Sequence, residues 1–280
     1  MTTAPTRRSD RMTAGEGAPP EPGGRRPRLV VRTRTAGGAA GSAPAGVVLV
    51  LHGGRADSTD PVRPWNLALA RMRQFVRPAL DRGAPAGIAV AMLRYRNRGW
   101  NGPAADAHAD AEWALAELAR RYGPVPVALI GHSMGGRAAL RAGGHASVVG
   151  VAALAPWAPR DEPVAHLAGR TVLIAHGSQD RVISPALSED FARRAADAGA
   201  RVCRLRVDGS GHAMLGRAKD WNELAAQFAV ACVTGGPLPP PVARALAGES
   251  AAATGPARVN GSARFADFDR PLQTRWWRSV

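Results

Sequence analysis

Seven short apolar runs divide residues 28–209, and several of them are unbroken rather than alternating: RLVVRTR (28–34), GVVLVLHGG (46–54), GIAVAMLRY (87–95), VPVALIGHS (125–133), VVGVAALAP (148–156), RTVLIAHG (170–177) and RVCRLRVDG (201–209). Continuous apolar runs of this length suit strands that are covered on both faces. Helical patterns lie between them, at about 62–82, 134–144, 185–199 and 217–233. A further helix carries Ala107, Ala111, Leu115, Leu118 and Tyr122 at three- and four-residue spacing, and Pro103 suits its first turn. Strands alternating with helices predict an α/β fold, a mostly parallel central sheet with helices on both faces.

Three segments follow from composition. Residues 1–27 are rich in Pro, Gly, Thr and Arg without periodicity and read as a disordered basic segment. Residues 28–234 hold the α/β domain. Residues 235–280 open with GGPLPPP, a stiff linker, and continue as a Pro/Ala-rich tail that also reads as disordered, although its aromatic end could dock. No run reaches the ~20 apolar residues of a membrane-spanning helix, and the basic N-terminus lacks the apolar core of a secretory signal; a cytoplasmic location is expected. The two cysteines, Cys203 and Cys232, have no metal-ligand spacing and read as buried thiols. The net charge of +15 raises the question of nucleic acid, but the excess is spread over the whole chain and is almost entirely arginine, so no nucleic-acid partner is expected.

Ligands of such sheets bind beyond the carboxyl ends of the strands. The segments there include HGG (52–54), RYRNRGW (94–100), GHSMG (131–135), HGSQD (176–180) and DGSGH (208–212). Gly131-x-Ser133-x-Gly135, between a strand and a helix, is a nucleophile-elbow pattern: the turn lifts the serine hydroxyl above the sheet, and the flanking glycines let strand and helix approach closely. The start of that helix also favours negative charge. A serine hydroxyl needs a base, and the base needs an orienting acid. His212 and Asp180 each follow a strand and supply these types, in the chain order Ser, Asp, His.

The segments VLVLHGG, ALIGHSMGGRAAL, VLIAHGSQDRVISP and DGSGHAML, in this order, resemble the α/β-hydrolase superfamily over residues 28–234. Within it the chain is most similar to small uncapped serine esterases and to the dienelactone-hydrolase-like branch; the dienelactone hydrolases themselves carry cysteine where this chain has Ser133. The resemblance implies a catalytic triad of Ser133, His212 and Asp180. It also implies an oxyanion hole from the backbone amide of Met134 and that of Gly54, with Arg55 as the alternative. The roughly fifteen residues between Ala155 and Arg170 are too few for a cap domain.

Other polar residues receive plainer readings. Asp106, His108 and Asp110 point in different directions on a helix and read as a solvated face, not a metal site. His52 and His176 read as local hydrogen-bonding residues, and His145 and His166 have no partner pattern. Asp208, Asp161 and Glu162 are weaker candidates than Asp180 for the acid. Trp157 is a candidate wall of the substrate site, and Arg96 and Arg98 are candidate ligands of an anionic substrate. The expected function is hydrolysis of small carboxylic esters through an acyl-enzyme on Ser133, with no cofactor and no metal. Thioester or peptide cleavage by the same triad, and a non-catalytic binder on a hydrolase scaffold, are the alternatives.

Overall fold

Successive residues of β2 (Gly46–Leu51) face opposite sides of the sheet: Val47, Leu49 and Leu51 enter one core, Val48 and Val50 the other. That two-sided burial is why the run is apolar throughout. The computed structural model describes residues 25–34, 43–215 and 217–248, together with the backbone of 262–264. After β1 (Arg28–Arg32), the other strands are β3 (Ile88–Arg94), β4 (Val127–His132), β5 (Val148–Leu154), β6 (Thr171–Gly177), β7 (Arg201–Val207) and β8 (Ser262–Arg264), in the order β1-β3-β2-β4-β5-β6-β7-β8. Only β1 runs antiparallel, on the edge beside β3; all other pairings are parallel.

Helices α1 (Leu67–Gly83), α5 (Ala218–Thr234) and α6 (Pro240–Leu246) cover one face, with Phe75, Phe228 and Val242 in its core. Helices α2 (Asp106–Tyr122), α3 (Met134–Ala142) and α4 (Pro185–Asp197) cover the other, with Leu115, Leu140 and Phe191. The expected apolar stripe of α2 is in place: Ala107, Ala111, Leu115 and Leu118 are buried. α1 starts five residues later than its pattern suggested, because the Asn66 side chain accepts hydrogen bonds from the amides of Ala68 and Leu69 and caps the helix there. Pro103 lies in a 3₁₀ turn (Gly102–Ala104) ahead of α2 rather than in its first turn. Between β5 and β6 the chain makes one 3₁₀ turn (Ala165–Leu167) and no cap domain.

The tail expected after residue 234 needs correction where it is described. α6 buries Pro241, Val242 and Ala245, and β8 extends the sheet beside β7. Prolines at the start of α6 are compatible with a helix because first-turn amides need no intrahelical acceptor; reading them as a linker overlooked this. Residues 1–24 and the aromatic end, 265–280, lie outside the described residues.

Candidate active site

From β2 the chain crosses to β3 on one side, then returns past β2 to β4. Loops leaving β2 and β4 therefore diverge, opening a crevice at the carboxyl ends of the strands. HGG and GHSMG meet in that crevice. Ser133 has φ 56° and ψ −120°, a conformation disfavoured for any residue with a side chain. Its surroundings hold it there: the Ser133 amide donates to the Leu154 carbonyl (3.0 Å), and the Ser133 carbonyl accepts from the amides of Arg137 and Trp157 (3.1 Å each). The glycines matter sterically. A Cβ at Gly131 would overlap the Gly135 carbonyl, and one at Gly135 would overlap the carbonyls of Leu51 and His52.

A continuous hydrogen-bonded chain runs from this serine. The Ser133 hydroxyl lies 3.0 Å from His212 Nε2, and His212 Nδ1 lies 2.7 Å from Asp180 Oδ2. A carboxylate only accepts, so Nδ1 carries the proton and Nε2 is left to accept from the hydroxyl. Asp180 Oδ1 accepts from the amides of Val182 and Ile183, at 2.9 Å each. Burial works against the Asp180 charge, but the Ile183 and Val182 amides and His212 outweigh it, and the carboxyl is held below its ordinary value. Asp180 is closed off from solvent, whereas His212 and Ser133 are only half-buried and can be reached from outside.

Three further residues secure this chain: His176, read in the sequence as a local hydrogen-bonding residue, and His132 and Arg71, to which the sequence reading assigned no role. His176 Nε2, 3.1 Å from Asp180 Oδ2, donates to the same oxygen that His212 uses. His132 Nε2 donates to the His212 carbonyl (2.9 Å). Arg71 of α1 donates to the carbonyls of Ala213 (3.0 Å) and Met214 (3.3 Å), tying the loop after His212 to the opposite wall. Burial lowers His132 to about 4, with His212 and Arg71 adding to the effect, so it is a neutral donor at pH 7. The buried run before Ser133 offered a signal for His132: a histidine closing an apolar strand must hydrogen-bond something.

The alpha/beta hydrolase family model matches residues 47–274, most of the chain. This chain belongs to the alpha/beta hydrolase family. A search of curated protein sequences returns no match. Among solved structures, it is similar to a serine hydrolase homologue from Coxiella burnetii (TM-score 0.54, 15% identity, covering 71% of this chain and 90% of that one). A serine hydrolase without a lid from Xanthomonas campestris gives 0.52 at 18%, covering 76% and 91%. Est1E from Butyrivibrio proteoclasticus with ferulic acid bound gives 0.51 at 13%, covering 74% and 96%. At these identities the likeness is one of fold.

In this alpha/beta hydrolase, Met134 is the first residue of α3, so the helix offers its amide no acceptor. Gly54 packs against the Met134 side chain and the Arg98 carbonyl. The Arg55 amide donates to that carbonyl (2.9 Å) and is thereby removed as the alternative donor. Beside Gly53 and Gly54 lies a cavity of about 220 Å³, walled by Val62, Leu67, Ala68 and Arg98. A larger groove of about 630 Å³ lies between β1 and α1; neither it nor the smaller cavity is lined by Ser133, Asp180 or His212, but the smaller one adjoins Gly53, where an added Cβ would lie 3.4 Å from that of Ser133.

The other candidates separate clearly. Arg96 is corrected: its guanidinium is paired with Asp106 (3.2 Å) and Asp110 (2.8 Å), so it is engaged inside the fold rather than offered to a substrate. The same contact corrects the solvated-face reading of α2, since Asp110 is buried and pushed up to about 6 by that burial. Arg98 borders the cavity, with Asp60 3.8 Å away. The Trp157 indole meets Trp100 edge-on (6.3 Å between centroids) under the Arg137 guanidinium, and its amide is what touches the serine. Asp208 pairs with Arg206 on the surface, and Glu162, fully buried, with Arg137 (2.5 Å) and Arg141 (2.6 Å); neither competes with Asp180. Among the described residues no cluster of His, Cys, Asp and Glu could hold a metal ion, and no helix is long and apolar enough to cross a membrane.

Proposed function

We propose that this alpha/beta hydrolase is a serine hydrolase that cleaves carboxylic esters of small substrates. The observation that carries the reading is the unbroken chain from Ser133 Oγ through His212 to Asp180, with the serine half-buried at the mouth of the crevice. Ser133 Oγ attacks the ester carbonyl carbon while His212 Nε2 takes the hydroxyl proton. Asp180 holds the ring and stabilises the imidazolium. The carbonyl oxygen becomes an oxyanion held by the amides of Met134 and Gly54, each such donor contributing about 3–4 kcal/mol to the transition state. The tetrahedral intermediate collapses: the bond to the alcohol oxygen breaks, and that oxygen takes the proton from His212. Water, deprotonated by the same ring, then releases the acid from the acyl-enzyme. This route uses only groups of the chain and needs no cofactor.

Arg98, at the cavity edge, would lessen the penalty for an anionic acyl group without making such an ester the preferred one. Thioesters would pass through the same intermediates. The test is hydrolysis of p-nitrophenyl acetate by the wild-type protein and by Ser133→Ala and His212→Ala variants. The expected result is turnover that falls at least about 10⁴-fold in either variant. Turnover that survives Ser133→Ala would remove the serine from the reaction.

A further inference from the structure

Five large apolar side chains stand exposed among the described residues, and four of them border segments that carry or line the candidate site: Trp65 on the loop before α1, Leu67 at the start of α1, and Val182 and Leu215 on the loops of Asp180 and His212. Leu67 (85% exposed) walls the cavity beside Gly53 and Gly54, and with Trp65 it lines an adjoining groove. Val182 follows Asp180 by two residues and donates its amide to the carboxylate. Leu215 (68% exposed) follows His212 by three, on the loop that Arg71 ties to α1 one turn beyond Leu67. Exposed apolar groups on the segments that flank a site mark a surface that something apolar covers.

We infer that the esters this site takes are apolar on both sides of the scissile bond, with the acyl chain held by Leu67 and Trp65 and the alcohol by Leu215 and Val182. The inference rests on the acyl-transfer reading above, whose geometry assigns the two sides. The leaving oxygen must accept its proton from His212 Nε2, which places the alcohol beside the His212 and Asp180 loops. The oxyanion must face the amides of Met134 and Gly54, which leaves the acyl group to run along Gly53 and Gly54 into the cavity that Leu67 walls. A substrate that reaches from this cavity to the His212 loop buries apolar surface of its own against side chains now in water, and each added methylene fully buried in such contact favours binding up to about fourfold.

Two matched ester series test this, both kept below micelle-forming concentrations: p-nitrophenyl acetate, butyrate and octanoate for the acyl side, and acetates of ethanol and octanol for the alcohol side. In the wild-type protein, kcat/KM for the octanoate should exceed that for the acetate about tenfold or more. Leu67→Ser should bring the ratio to within about threefold, and Leu215→Ser should narrow the octanol-to-ethanol ratio in the same way. Both residues are exposed, so neither substitution threatens the fold. Equal kcat/KM along the wild-type acyl series, or an octanoate preference that Leu67→Ser leaves intact, would overturn the inference while leaving a serine esterase. Failure to turn over any ester in a Ser133-dependent way would overturn the acyl-transfer reading itself, and this inference with it.

Discussion

The loop after β4 and the loop after β3 both leave the carboxyl edge of the sheet crowded with polar side chains, yet only the first carries a group of the proposed reaction. At Ser133 the backbone is held in an unfavourable conformation by its neighbours, and the hydroxyl is left facing a histidine that solvent can reach. At Arg96 the backbone is ordinary and the side chain is saturated: two carboxylates of α2 hold the guanidinium, and the Arg96 amide donates to Asp110 as well (2.8 Å). Position at the strand end is shared. What differs is whether the fold provides a partner that saturates the group or, on the proposed reading, one that activates it.

Substituting Gly135 by Ala should break the first loop. The new methyl would collide with the carbonyls of Leu51 and His52, and α3 must shift to relieve it. Ester turnover should fall by about a hundredfold or more, because misplacement of the reacting groups by ~1 Å costs that much. Steady-state kinetics with far-UV circular dichroism checks it; full activity would show that the elbow does not depend on that close approach.

Acid sharpens the contrast, since the two loops respond to it in opposite senses. His132, and His52 beside it at the end of β2, are each lowered to about 4 by burial, against 6.5 in the unfolded chain. Between those values the unfolded state binds more protons, so their stabilisation is complete above pH 6.5 and is lost as pH falls towards 4, on the order of 3 kcal/mol each. Asp110, raised to about 6 from 3.8, acts the other way: its contribution is present below 3.8 and lost as pH rises through 6. Two groups outweigh one, and the urea midpoint should drop between pH 7 and 4.5. His132→Gln should lessen the drop and Asp110→Asn deepen it; identical midpoints at the two pH values would contradict both assignments.

Arg96→Gln removes the partner of buried Asp110. It should lower stability by ~2 kcal/mol, less than a fully buried pair because Arg96 is partly exposed. It should not alter the ratio of kcat/KM for a succinate half-ester to that for the neutral butyrate. Arg98→Gln should do the reverse, lowering that ratio a few-fold with a midpoint unchanged within error. An anionic preference that Arg96 controls would overturn the division between them.

The strands, the helices and the Ser, Asp, His order were legible because they are local: unbroken apolar runs, three-and-four spacing, and a turn whose glycines sit at fixed offsets. Gly131 and Gly135 do what their spacing indicated. Partner choice was not legible. Asp106 and Asp110 stand four residues apart beside the buried Ala107 and Ala111, a position that pointed inward, but nothing local showed that Arg96 would arrive from β3 to meet them. Arg71 acts on the His212 loop through contacts that exist only once the sheet has assembled; His176, four residues before Asp180, is the local hydrogen-bonding residue its position indicated, but nothing local named the acid as its partner. The prolines of α6 read as a linker because first-turn proline and linker proline look the same in sequence; burial of Val242 separates them.

The most direct measurement is reaction of the folded protein with a fluorophosphonate, followed by mass spectrometry of the peptide containing Ser133. An activated serine gives a covalent adduct on Ser133, absent from Ser133→Ala and strongly reduced in His212→Ala. No adduct on protein shown to be folded, or an adduct at Ser133 indifferent to His212, would contradict the claim that this hydrogen-bonded chain makes the serine a nucleophile.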